Sequence, residues 1–285
     1  MIVFHHNDLD GRCAAAIIGR WKWMDSLCPE ITYVEMDYNK AVPADKIGFG
    51  EQVVIVDFSF KPEVMDKVFL ITPNVIWIDH HATAKSYDYG NKCELAGLRD
   101  FSDKGLSGCE LTWKYIYPGK PMPQGVALIG DYDAWRLTRN PDCFRFYEGL
   151  KLKKDQSPTA KFWDEIFEDS FSFVNSVMIV GETAILYRDA YCEDFIKQFG
   201  YETELDGVKM FAVNLFRFGS KCFGERMKQY PACIGYAHDG KQYQVSLYSD
   251  TGVDVSVICK AHGGGGHKGA SGFQCKELPF IAQRR

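Results

Sequence analysis

Short apolar runs alternate with helix-period stretches over the first 80 residues, the pattern of repeated strand–helix units and hence of a largely parallel sheet. Ile2 to Phe4 predicts a first strand, and Gly11 to Trp23 (GRCAAAIIGRWKW) a helix. Ile31 to Met36 reads as a strand, Gln52 to Phe58 as a buried strand, Lys61 to Phe69 as a helix and Val75 to Asp79 as another strand. Ser107-Gly-Cys-Glu110 fits the S-x-x-E capping box and starts a helix through Ile116. A second helical stretch from Gln124 through Leu128 leads into Gly130-Asp-Tyr-Asp-Ala-Trp135. Phe144 to Phe199 is helical with loop breaks, and within it Ser176 to Gln198 predicts one long connector. From Val208 the pattern changes to strict alternation (KMFAVNLF, PACIGYAHD, KQYQVSLYS), broken by turn signals such as Asp239-Gly240. A helix from Asp254 to Lys260, four glycines and a strand from Ala270 to Gln274 follow. The expected fold class is α/β with two domains. Residues 1–150 form a mainly parallel sheet flanked by helices, 151–203 a helical connector, and 204–285 a smaller α/β domain.

A chain of 285 residues is long enough for two cores, and 46% hydrophobic with 25% charged residues excludes disordered and fibrous classes. The net charge of -5 leaves no broad basic surface to hold long nucleic acid by counterion release, so a nucleic-acid substrate is short or gripped locally. Ten cysteines are scattered with no C-x-x-C pair, which predicts free, mostly buried thiols rather than a zinc ribbon or redox dithiol. The start of the chain lacks an export leader, and no run approaches the roughly 18 apolar residues of a membrane span. A cytoplasmic location with no membrane partner is the expectation.

Of seven histidines, four form two adjacent pairs, His5-His6 and His80-His81, at predicted strand ends. Asp8 and Asp10 follow the first pair, Asp79 precedes the second, Asp57 closes another strand, and Asp131 and Asp133 follow the helix after residue 124. In open parallel sheets ligands bind outside the carboxyl ends of the strands, so clusters there carry weight. A single Asp at such an end is most often a turn or helix cap. Taken jointly, imidazoles and carboxylates without cysteine suit Mn²⁺, Fe²⁺ or Zn²⁺. His6, Asp8, Asp10, Asp57, His80 and Asp131 are too many for one tetrahedral ion and suit two. Two metals about 3.5–4 Å apart need a shared carboxylate and polarise a hydroxide for attack on phosphorus. On this reading Asp133 serves the loop. Gly263 to Gly266 predict a backbone nest for phosphate, with His267 and Lys268 adding donors or charge.

These motifs resemble the DHH phosphoesterase superfamily, named for a signature that stands here as Asp79-His80-His81. His6-Asn-Asp-Leu-Asp-Gly11 resembles its first motif, Asp57 its second and Asp131 with Trp135 its fourth. Gly263-Gly-Gly-Gly-His267, followed by Ala270 and Gly272, resembles the glycine motif of the DHH-associated C-terminal domain. Ser107-Gly-Cys-Glu-Leu-Thr-Trp113, Val245-Ser-Leu-Tyr-Ser249 and Asp254-Val-Ser256 are similar to the nanoRNase, or oligoribonuclease, branch. The resemblance implies two divalent cations, Mn²⁺ first with Mg²⁺, Co²⁺ or Fe²⁺ as alternatives, and short single-stranded RNA or a small nucleotide as substrate. It places His6, Asp8 and Asp57 on one metal, and Asp10, Asp57, His80 and Asp131 on the other. Asp57 is then the bridge, His81 faces the substrate phosphate, and Asp79 orients a histidine ring. His5 can replace His6, because adjacent strand residues point to opposite faces. Substrate is held by Gly263, Gly264, Gly265, Gly266, His267, Lys268 and Tyr248. Tyr248 stands where some relatives carry an arginine, which grips phosphate bidentately as a tyrosine cannot. The implied activity is hydrolysis of short oligoribonucleotides to nucleoside monophosphates. The alternatives are 3′-phosphoadenosine 5′-phosphate, a cyclic dinucleotide or, last, polyphosphate as substrate, and from another class a non-catalytic nucleotide sensor. A homodimer is compatible with all of these.

Overall fold

The computed structural model describes residues 1–23, 30–38, 40–89, 96–215 and 218–280. Strands β1 (Ile2–His6), β2 (Thr32–Met36), β3 (Val53–Val56) and β4 (Val75–Ile78) form one parallel sheet in the order β2-β1-β3-β4. β3 and β4 are buried on both faces because successive side chains enter two different cores. Val54, Val56, Ile76 and Ile78 pack with α1 (Leu9–Trp23) and later helices, whereas Val53, Ile55, Val75 and Trp77 pack with α2 (Pro62–Ile71). Proline at the first position of α2 suits a helix start, where its missing N–H costs nothing.

The capping box at Ser107 opens α3 (Gly108–Ile116), with the Ser107 N–H donating to Glu110 Oε2 at 2.9 Å. The stretch expected from Gln124 continues further, as α4 (Gln124–Asp133), which carries Asp131 and Asp133 on the helix itself. α5 (Asp142–Lys151), α6 (Phe162–Phe167) and the 29-residue α7 (Phe171–Phe199) follow.

The chain divides into two units, Met1–Ala184 and Ile185–Arg285, so no separate connector stands at 151–203. Trp163, Ile166, Val174 and Val177 belong to the first unit's core, and Cys192 and Ile196 to a core of the second. Helical periodicity reports that a face is buried but not which partner buries it, so the sequence does not show the division inside α7.

In the second unit β5 (Tyr201–Leu205), β6 (Val208–Val213), β7 (Ala232–His238), β8 (Tyr243–Tyr248), β9 (Gly265–His267) and β10 (Ala270–Cys275) form a mixed sheet ordered β5-β6-β7-β8-β10-β9. β5 begins before residue 204, and Asp206-Gly207, both at positive φ, make the two-residue hairpin to β6. α8 (Arg226–Gln229) and α9 (Val255–Ala261) complete the unit, and α9 is capped by Asp254, whose carboxylate accepts the Ser256 N–H at 3.0 Å. The cysteines within the described residues are free thiols, all buried except the half-buried Cys275; Cys28 and Cys93 lie outside the described residues. Among the described residues no helix is long and apolar enough to cross a membrane.

Candidate metal centre

Because the first sheet is parallel, β1, β3 and β4 deliver His6, Asp57 and Asp79-His80-His81 to one edge. His6 Nδ1 lies 2.8 Å from Asp8 Oδ2 and 3.8 Å from Asp57 Oδ2. His80 Nε2 lies 3.1 Å from Asp57 Oδ1, 3.2 Å from Asp133 Oδ2 and 3.8 Å from Asp10 Oδ2. Three groups of convergent ligand atoms result: His6, Asp8 and Asp57; Asp57, His80 and His81; Asp10, His80 and Asp133. Asp57 joins the first two and His80 the last two. His5 is excluded by the pleat: it is buried and donates its Nδ1–H to the His6 carbonyl at 2.8 Å.

Asp131 does not reach the cluster, and Asp133 does, the reverse of the sequence expectation. Two residues on a helix are about 200° apart, so the two carboxylates face opposite ways. Asp131 instead accepts from Arg136 Nε at 2.8 Å, and Arg136 Nη2 donates to Glu110 Oε2 at 2.6 Å. The same guanidinium also donates to the Gly105 carbonyl. This buried network joins α3 to α4 behind the cluster.

Capping and cluster roles coexist because a carboxylate has two oxygens. Asp8 Oδ1 accepts the Gly11 N–H at 2.9 Å at the start of α1, which leaves Oδ2 for His6. Asp10 receives the N-terminus of α3: Oδ1 accepts from Ser107 Oγ (2.8 Å) and Cys109 N (3.0 Å), and Oδ2 accepts from Gly108 N (2.7 Å). Asp79 Oδ1 accepts the His80 N–H at 2.9 Å and His81 Nδ1–H at 2.8 Å. Its Oδ2 takes the Ser59 hydroxyl, which itself accepts Trp77 Nε1–H at 3.0 Å. His81 is thereby oriented with Nε2 free of Asp79. Ser59 and Arg136 escape the sequence reading, which marks Ser107 as a helix cap and a branch motif but not as a partner of Asp10, and no motif marks Ser59.

Burial raises the Asp57 carboxyl well above its ordinary range, and the neighbouring Asp10, Asp8 and Asp133 push the same way. Asp133 is raised for the same reasons, and burial lowers His80. Burial opposes protonation of His81, but its bond to Asp79 and the nearby carboxylates outweigh it and lift the pKa above the usual histidine value.

Both Asp57 oxygens are buried without a hydrogen bond, with His80 Nε2 3.1 Å from Oδ1 and His6 Nδ1 3.8 Å from Oδ2. Orphaned atoms of this kind are expensive in a protein interior. Their convergence with carboxylates that repel one another fits a divalent-cation donor set of nitrogen and oxygen. Gly108 makes room for it: a Cβ there would stand 2.5 Å from Asp57 Cβ and 2.7 Å from Oδ1. Gly108→Ala is expected to weaken Mn²⁺ binding about 10–100-fold in a calorimetric titration, the scale of a displaced ligand support; unchanged affinity would show that Asp57 is not a ligand.

In the second unit the glycine run does not form an open nest. Gly263, at φ +79°, and Gly264 close α9, their N–H groups bonding the Lys260 and Cys259 carbonyls at 3.1 and 2.8 Å. Gly265–His267 then pairs with β10 as an edge strand, with His267 and Lys268 exposed. Beside it lies an open groove of about 550 Å³ lined by Gln242, Gln244, Ser246, Gly263, Gly264 and Gln274. Its glutamines form a chain, Gln242 donating to Gln274 (2.9 Å), Gln274 to Gln244 (3.0 Å) and Gln244 to Asp239 (2.8 Å). Tyr248 is outside this lining and packs its ring 6.1 Å from Phe223.

No family model matches the chain. An uncharacterized protein of Acanthamoeba polyphaga mimivirus, R106, is 25% identical over 96% of the chain, which spans 66% of that protein's length. The bifunctional oligoribonuclease and PAP phosphatase NrnA of Mycoplasma pneumoniae is 20% identical over 97% of the chain and 87% of its own length. Among solved structures, the pGpG-specific phosphodiesterase PggH of Vibrio cholerae superposes with a TM-score of 0.55 at 13% identity, over 96% of this chain and 93% of that one. The DHH domain of PF0399, a protein assigned to a family of ribosomal proteins, gives 0.58 at 13% identity, over 96% and 82%. With a parallel sheet that carries Asp79-His80-His81 at its edge and a second, mixed sheet later in the sequence, the chain has the two-domain fold of the DHH proteins.

Proposed function

We propose that the chain is a phosphodiesterase that hydrolyses short oligoribonucleotides to nucleoside monophosphates with two divalent cations, Mn²⁺ foremost. The observation that carries this reading is the buried Asp57 carboxylate with neither oxygen in a hydrogen bond, flanked by His6 and Asp8 on one side and by His80, Asp10 and Asp133 on the other. His6, Asp8 and Asp57 would hold one cation, and Asp10, Asp57, His80 and Asp133 the second. When bound, such a pair supplies Lewis-acid charge stabilisation and an activated water. The chain's own part is positional. Asp8 and Asp10 are pinned by helix starts, Asp57 is confined against Gly108, and His81, its Nδ1 held by Asp79, presents Nε2 to the leaving oxygen. Its bond to Asp79 favours the protonated ring, as a general acid requires.

A substrate of a few nucleotides also accords with the net charge of -5. Two similar proteins bear names that speak of an oligoribonuclease and of a pGpG phosphodiesterase. The first is also named a PAP phosphatase, so 3′-phosphoadenosine 5′-phosphate is the second reading. With Mn²⁺, the dinucleotide is expected to be turned over faster than 3′-phosphoadenosine 5′-phosphate, a cyclic dinucleotide or polyphosphate. Turnover of the bisphosphate alone would favour the second reading, and tight nucleotide binding without any turnover would make the protein a sensor. His81→Asn is expected to lower kcat about 10²–10⁴-fold with Mn²⁺ affinity retained. A lost metal affinity in that variant would instead make His81 a ligand.

A further inference from the structure

α4 ends in an unusual way. Ala134 closes the helix, the Trp135 N–H bonds the Tyr132 carbonyl at 3.2 Å, and the Arg136 N–H bonds the Asp131 carbonyl at 2.8 Å. This is the double-bonded helix ending whose left-handed residue is usually glycine. Here that residue is Trp135, at φ +55°. The other non-glycine residues at positive φ among those described are Asp57, Lys104, Asp169 and Asp206, and aspartate tolerates this conformation far better than a bulky aromatic. Trp135 is also 59% exposed, so the strain is not compensated by full burial of the indole. Its only ring neighbours among the described residues are Tyr132 and Phe144, edge-on at 6.1 and 6.5 Å. Its Cα is two residues from that of Asp133, hence within about 7.6 Å of it.

Backbone strain at a large, exposed apolar side chain two residues from Asp133 points to a functional role for the position. We propose that Trp135 is the nucleobase-stacking residue of the substrate site, the indole receiving the base of the nucleotide whose phosphate would meet the cation that Asp133 and His80 hold. The left-handed turn ties the orientation of this platform to the same helix ending that carries Asp133. An aromatic platform holds any base by its face, so the site it serves reads nucleotides as a class and not a particular sequence. This inference deepens the phosphodiesterase reading and rests on it.

The test compares Trp135→Ala, Trp135→Phe and Trp135→Gly on a dinucleotide and on its abasic counterpart, with Mn²⁺. Trp135→Ala is expected to raise KM for the dinucleotide about 5- to 150-fold, the range for one stacked base, and to leave the abasic substrate unchanged. Trp135→Phe is expected to recover part of the loss. Trp135→Gly is expected to lose the base preference while melting no lower than the unaltered chain, since glycine removes the backbone strain. Equal changes on both substrates, or none, would overturn the proposal, as would a lowered melting temperature with no change in base preference. A second arm titrates adenosine 5′-monophosphate, with ribose 5-phosphate as control, and follows indole fluorescence. Quenching by the first compound alone, lost in Trp135→Phe, supports the stacking role, and quenching retained in that variant sinks it. Absence of dinucleotide turnover in the unaltered chain would defeat the activity reading, and the titration would still decide the role of Trp135.

Discussion

Asp57→Asn is expected to give a folded protein that binds Mn²⁺ far more weakly and loses more activity than the about 10–100-fold typical of an outer-shell change. The substitution keeps the shape of a fully buried side chain and removes the charge that both halves of the cluster share. It also carries a signature in the metal-free protein. Because the folded-state pKa of Asp57 is raised, its contribution to stability is present below the ordinary carboxylate pKa and is lost as pH rises through the folded value. The metal-free chain should therefore weaken as pH climbs from about 4 upward, and Mn²⁺ should restore more stability at the upper end of that window, with release of protons. Asp57→Asn should flatten this slope. Urea melts of both proteins with and without chelator measure it, and identical slopes would mean that Asp57 is not the buried charge that metal neutralises.

The second large effect is on the frame behind the site. Arg136 is 7% exposed and is the shared partner of buried Glu110 and Asp131. Burial alone would lower its pKa, and the two carboxylates more than reverse that. Replacing it with methionine leaves two buried carboxylates without their cation, a loss of about 3–5 kcal/mol when one partner of a buried pair is deleted. Glu110 is already raised by burial, so the Arg136→Met protein should lose stability most steeply as pH rises and Glu110 ionises. Mn²⁺ affinity should fall with it, since Glu110 and Asp131 sit on the helices that carry the Asp10 contacts and Asp133. A loss within about 1 kcal/mol, the scale of a surface ion pair, would contradict the buried-network account.

The parallel sheet, the mixed sheet and most residues of the candidate cluster were legible because each rests on local pattern: apolar runs for doubly buried strands, alternation for half-buried ones, a polar residue just past each strand. Asp131 and Asp133 are confused in the sequence because the choice depends on helix phase, and the apolar pattern carries the helix only to Leu128, before either residue. His5 and His6 could not be separated because pleat parity needs a known core face. The glycine run reads as a free loop since four glycines look alike in sequence, yet two are spent on closing α9 and two enter an edge strand. Arg136 joins nearby Asp131 to Glu110, 26 positions away, and Ser59 bonds Asp79, 20 positions away, and no local pattern signals either long-range partner.

Asp10 has one further consequence. Its carboxylate anchors the first turn of α3 and also lines the candidate cation site, so under the proposed function ligand chemistry and helix docking would share a single side chain. If the proposed activity holds, a descendant that lost it would still have this aspartate's contacts to the first turn of α3 as a reason to retain it.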